Sequence, residues 1–137
     1  MSARTKARKR ALDLLYGADL RSTTIADAIA SESERAQAEP RRSSSWEYAR
    51  EISVGVDEHR AEIDELIETY ALGWPIHRMP TIDRAIVRMG IWELVFNPEV
   101  PDGVAIAEAV ELARTYSTED SAGFVNGVLG RIAEAQS

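Results

Sequence analysis

Cysteine is absent from the 137 residues, which excludes a disulfide framework, a thiolate zinc site and a cysteine nucleophile. Histidine occurs only as His59 and His77, and neither has an HExxH or comparable ligand spacing around it, so surface or turn positions are expected and no metal site is assigned. No stretch approaches about 18 uncharged apolar residues, and the N-terminus runs from a basic patch straight into Leu12 without an apolar signal core. A cytoplasmic protein is expected, with no membrane partner. The sequence also lacks a Gly-x-Ser-x-Gly elbow, a Walker loop and a dinucleotide fingerprint. A carboxylate pair such as Glu62 and Glu65 could serve as acid and base, but it lies in a run that reads as a solvated helix face. No catalytic residue and no cofactor is therefore assigned; an enzyme acting on an anionic substrate would need a deep pocket with convergent polar groups.

What is present suits one compact domain spanning residues 1–137, with 45% hydrophobic, 7% aromatic and 28% charged residues. The net charge of −7 is unevenly distributed. Residues 1–21 hold six cations (Arg4, Lys6, Arg8, Lys9, Arg10, Arg21) against Asp13 and Asp19, for +4, while the remainder carries ten cations against twenty-one carboxylates, for −11. A body of one sign repels polyanions at long range, so any polyanion contact is confined to the basic arm and its neighbours.

Apolar residues recur at spacings of three and four without convincing period-two alternation, so the chain reads as all-α. A first helix is expected from about Ala3 to Leu20, with Leu12, Leu15, Tyr16 and Leu20 as its stripe; the cations before Ala11 have no apolar partners, and this start is expected to be unpacked. Thr24 should cap a second helix with Ile25, Ala28 and Ile29 inward. Residues 38–45 are expected to be a surface loop because of Pro40 and the serines. Trp46, Ala49, Ile52, Val56, Ile63, Leu66, Ile67 and Tyr70 then mark two helices meeting near Asp57, closed by Gly73, Pro75 and Pro80. Thr81 should cap a central buried helix reaching about Phe96. A sixth helix carries Val104, Ala107, Val110 and Ala113 and ends near Tyr116; residues 117–120 read as the cap of a seventh, with Phe124, Val125, Val128, Leu129 and Ile132. Gly123, Gly127 and Gly130 interrupt that last helix, and a tight crossing with another backbone is the expected reason.

The basic arm carries the chemical signal. Arg4, Lys6, Arg8, Lys9 and Arg10 place five cations in seven residues, where like charges one turn apart repel and phosphates would relieve the repulsion. A merely solvated terminus is the alternative, and so is a basic helix on anionic lipid, although Leu12, Leu15 and Tyr16 are better used in a core than as a membrane face. Single-stranded RNA is commonly held by phosphate contacts plus stacking of bases on rings, which makes Tyr16, at the arm's end, suggestive; taken alone, such a residue is more often part of a core.

The run Val104-Ala105-Ile106-Ala107-Glu108-Ala109-Val110-Glu111-Leu112-Ala113, followed by Glu119-Asp120-Ser121 and Phe124-Val125-Asn126-Gly127-Val128-Leu129, resembles the signature of the NusB family of transcription antitermination proteins. Ile82-Asp83-Arg84-Ala85-Ile86-Val87-Arg88 with Glu93-Leu94 resembles the family's central helix, and the basic start leading to Ala11, Leu15 and Tyr16 its first. The resemblance covers nearly the whole chain, most weakly between about Arg21 and Arg50. It implies about seven helices in two packed helical subdomains and a factor that binds the boxA element of nascent RNA together with NusE, a ribosomal small-subunit protein. In that role it helps RNA polymerase read through terminators, notably in ribosomal RNA operons. It further implies that Arg4, Lys6 and Arg8 meet RNA, with Lys9 and Arg10 basic where other members often are not; that Tyr16, Tyr70, Asp120 and Phe124 surround the RNA, Phe124 as an exposed ring; and that Asp83 lies near the NusE interface. A catalytic domain of the kind that follows this fold in RNA cytosine methyltransferases does not fit in 137 residues, so a stand-alone protein is expected. Monomer and homodimer stay open. So does a purely protein-binding helical adaptor whose basic arm serves an acidic patch.

Overall fold

The computed structural model describes residues 2–137, with the side chains of residues 40–44 outside the description. Among the described residues it is all-α, with seven α-helices and no strand. Two compact units divide the chain at residues 58 and 59.

The first unit consists of α1 (Ala3–Arg21), α2 (Ile25–Ala38) and α3 (Pro40–Glu58), each packed on the other two. Ser2 starts α1 because its hydroxyl accepts from the amide of Thr5 at 3.1 Å, and Ser22, left-handed at φ 56°, ends it. Thr24 caps α2 as its sequence position suggests, accepting from the amide of Asp27 at 3.0 Å. Ile25 is buried, whereas Ala28 and Ile29 are half-buried. The loop expected over residues 38–45 is absent: Glu39 alone is non-helical, and α3 opens directly at Pro40. Proline suits the first position of a helix, where its missing N–H has no partner to lose. The unit buries Ala7, Ala11, Leu12, Leu15 and Ala18 of α1 and Trp46, Ala49, Ile52 and Val56 of α3.

The second unit comprises α4 (Arg60–Tyr70), a 3-10 turn (Ile76–Arg78), α5 (Thr81–Ile91), a π-helical turn (Trp92–Phe96), α6 (Asp102–Tyr116) and α7 (Glu119–Gln136). α5 is central, as its wide apolar stripe indicates: Asp83 and every residue from Ala85 to Ile91 are buried, and it packs on α4, α6 and α7. Thr81 is its first residue and makes no capping bond; Pro80 precedes it. The close helix approach lies at Gly90 and not among the glycines of α7. A Cβ on Gly90 would stand 2.7 Å from Leu129 Cδ1 and 3.3 Å from Ala109 Cβ, whereas one on Gly123 or Gly130 would meet nothing within 4 Å, and one on Gly127 only the Arg131 guanidinium of its own helix. The smallest residue is needed on the buried central helix, where neighbours close in from several sides. Among the described residues no helix is long and apolar enough to cross a membrane.

Candidate nucleic-acid interface

The cations of α1 are far from unpacked. An α-helix sets residues four apart on one face, and Arg4 and Arg8 both lie over the ring of Tyr48, at 4.4 and 5.8 Å from its centroid. Arg10 sits 5.5 Å from the Trp46 ring, donates to Ser45 Oγ at 2.9 Å and donates to Glu32 at 2.8 Å. Lys9 holds Asp13 one turn on at 2.6 Å. Ring quadrupoles and carboxylates therefore relieve the like-charge repulsion within the unit itself. This corrects the expectation of an unpacked start and reassigns part of the cation set. Arg8 is only 3% exposed and Arg10 is part-buried, so neither presents a guanidinium freely to a phosphate. Arg4 and Lys6 are exposed, Lys9 is partly so, and Tyr16 is half-buried further along the helix.

On the second unit, Thr118 caps α7 by accepting from the amide of Ser121 at 3.0 Å, one residue inside the stretch read as the cap. Asp120 is exposed in the first turn, and Phe124 lies one turn later. Phe124 is half-buried instead of fully exposed, because the indole of Trp74 stands edge-on to it, with centroids 4.5 Å apart at 71°. Tyr70, also half-buried, is the last residue of α4, and its carbonyl accepts from Arg131 of α7 at 3.0 and 2.9 Å. The structure thus groups Asp120, Phe124 and the end of α4 on this unit, while the α1 cations and Tyr16 belong to the first. Sequence reasoning missed Trp74, which falls in a turn outside every apolar stripe; an aromatic beside Gly73 and Pro75 is the signal that could have found it.

Asp83 has a different place from the partner contact that the resemblance implies. Its side chain is fully buried, accepting from Ser117 Oγ at 2.6 Å and Ser121 Oγ at 2.7 Å, and Thr118 Oγ1 donates to Ser121 Oγ at 2.9 Å. A buried carboxylate requires such donors, and here they come from the α6–α7 turn. Asp83 therefore fixes the start of α7, the turn that carries Asp120.

His59 precedes α4, stacks on Phe96 with centroids 4.0 Å apart and contacts Glu62 at 3.2 Å. Among the described residues no group of three His, Cys, Asp or Glu side chains is placed to hold a metal. A cleft of about 460 Å³ between α1 and α2 is lined by Arg10, Arg21, Arg35, Asp13, Asp27 and Glu32; Glu32 holds Arg10 across it and Arg35 one turn along its own helix. Its charges face one another, unlike a site whose polar groups converge on a substrate.

Comparison with known proteins places the whole pattern. The NusB family model matches residues 5–134. The transcription antitermination protein NusB of Clavibacter sepedonicus is 63% identical over 136 residues, covering 99% of this chain and 99% of its own. Its counterpart from Leifsonia xyli subsp. xyli (strain CTCB07) is 65% identical over 134 residues, covering 98% of this chain and 93% of its own. A chain in the crystal structure of antitermination factors NusB and NusE in complex with double-stranded RNA superimposes with a TM-score of 0.82 at 29% identity, covering 98% of both chains. Matched across almost its full length in sequence and in fold, this chain belongs to the NusB family.

Proposed function

We propose that this chain, a transcription antitermination factor by its family, is a non-enzymatic adaptor that binds boxA RNA together with NusE. In the cytoplasm it would support read-through by RNA polymerase, notably of ribosomal RNA operons. The observation that carries the reading is the family match over residues 5–134, which spans both the cationic α1 and the aromatic end of α7. Arg4 and Lys6, exposed on α1, and Lys9, partly so, would meet phosphates, while Asp120 would accept from a base edge and Phe124 would stack. Tyr16 on the first unit and Tyr70 on the second, both half-buried, belong to the proposed RNA-contacting set, and Arg8 and Arg10 act through the packing of α1. Contacts that are weak alone become selective when NusE adds a second surface, as linked sites require.

The test compares boxA with a scrambled RNA, with and without NusE, over a range of salt. Three phosphate contacts give a slope of log affinity against log salt of about −2 for a single strand. Tighter binding of boxA in the presence of NusE, with that slope, is expected. A flat salt response excludes the α1 cations as phosphate contacts. Equal binding of both RNAs under every condition, with NusE binding retained, favours the purely protein-binding adaptor.

A further inference from the structure

We propose that Trp74 is an RNA-contacting residue, its indole forming with Phe124 a two-ring corner that receives one nucleobase. The proposal rests on the RNA reading above and adds a residue to it.

The corner is built by the backbone. Phe124 and Arg131 are seven residues apart on α7, two helical turns, and so share a face. Arg131 grips the carbonyl of Tyr70 with two donors and fixes where α4 stops. The chain then reverses in a turn closed by the Trp74 amide donating to the Ala71 carbonyl at 3.1 Å, with Gly73 at φ 77°, a left-handed conformation that side chains disfavour. That turn delivers the indole to Phe124.

The pair has the shape and the chemistry for a base. Rings at 71° enclose an inside corner, so a base lying flat on one ring meets the other with its edge. The indole N–H makes no hydrogen bond with the described residues. Because no buried side-chain nitrogen or oxygen among them is left unsatisfied, that N–H is open to solvent and able to donate to a base acceptor. Asp120, exposed one turn before Phe124, offers an acceptor, and exposed Arg78, on the 3-10 turn just after Trp74, offers a cation for the sugar–phosphate backbone. Trp46 and Trp92 are each 6% exposed, so Trp74 is the tryptophan placed to sense RNA.

The test measures boxA RNA affinity in the presence of NusE for the wild type, Trp74→Phe, Trp74→Ala and Phe124→Ala, together with RNA-induced quenching of tryptophan emission, NusE affinity without RNA, and thermal melting. Trp74→Ala is expected to weaken RNA binding about tenfold, the loss of one stacked base. Trp74→Phe, which keeps a ring but loses the N–H, should weaken it about threefold. Quenching should vanish in Trp74→Phe, while NusE affinity and cooperative melting are retained. Unchanged RNA affinity in Trp74→Ala overturns the proposal, as does quenching that survives in Trp74→Phe, or a parallel loss of NusE affinity marking a structural role. Should the wild type bind no boxA RNA, the RNA reading itself falls and takes this proposal with it; normal wild-type binding with an indifferent Trp74 removes only the proposal.

Discussion

In the first unit, α1 is joined to its neighbours through guanidinium groups laid on the rings of Tyr48 and Trp46 and through small residues, Ala7, Ala11 and Ala18, that let helices approach. In the second, branched aliphatic side chains such as Ile86, Val125, Val128, Leu129 and Ile132 fill the core, and polar links include the buried Asp83 with two serines and the part-buried pair of Arg88 with Asp64 at 2.9 and 3.1 Å. A charged helix can thus pack as closely as an apolar one when its charges find rings and carboxylates. The two units differ in what a single substitution should remove.

The largest of the expected effects lies in the second unit. Asp83→Ala leaves the hydroxyls of Ser117 and Ser121 without their acceptor and should cost about 1 to 3 kcal/mol in a denaturant melt. An unchanged midpoint would place Asp83 outside the stabilising network. In the first unit, Tyr48→Leu keeps apolar volume but removes the ring beneath Arg4 and Arg8, and should cost about 0.5 to 2 kcal/mol. If that loss exceeds the one at Asp83, the ranking of the two units reverses. Gly130→Ala should move stability the other way, by about 0.5 to 1 kcal/mol, since helix propensity improves and a Cβ there meets nothing within 4 Å. Destabilisation would mean that the last helix does require glycine, as its sequence first suggests.

Legibility followed the same division. The aliphatic periodicity of α5 and α7 marked those helices and their buried faces, because burial of branched side chains at every third or fourth position leaves a direct trace in the chain. On α6 it marked the helix but not the face, since Val104 and Ala107 are exposed and Ala105, Ala109, Leu112 and Ala113 are the buried residues. The packing of the first half of α1 left no such trace. A reading that counts apolar residues sees only cations before Ala11, and whether a guanidinium meets solvent, phosphate or a ring depends on Tyr48, forty residues away. Pro40 misled for a related reason, since proline both breaks helices and begins them. At the proposed interface, Asp120 and Phe124 were legible through family resemblance, whereas Trp74 was not, because its neighbour comes from α7, fifty residues on.

From its sequence alone the chain was determined to be helical, charge-polarised and NusB-like, since each of these follows from residue identities and their local spacing. Only the tertiary structure decided which cations are exposed and which are buried, that Asp83 is an internal bracket, that the tight helix approach falls at Gly90, and that an indole meets Phe124. Those outcomes depend on which side chains distant in the chain are brought within a few ångströms, and local periodicity carries no record of that.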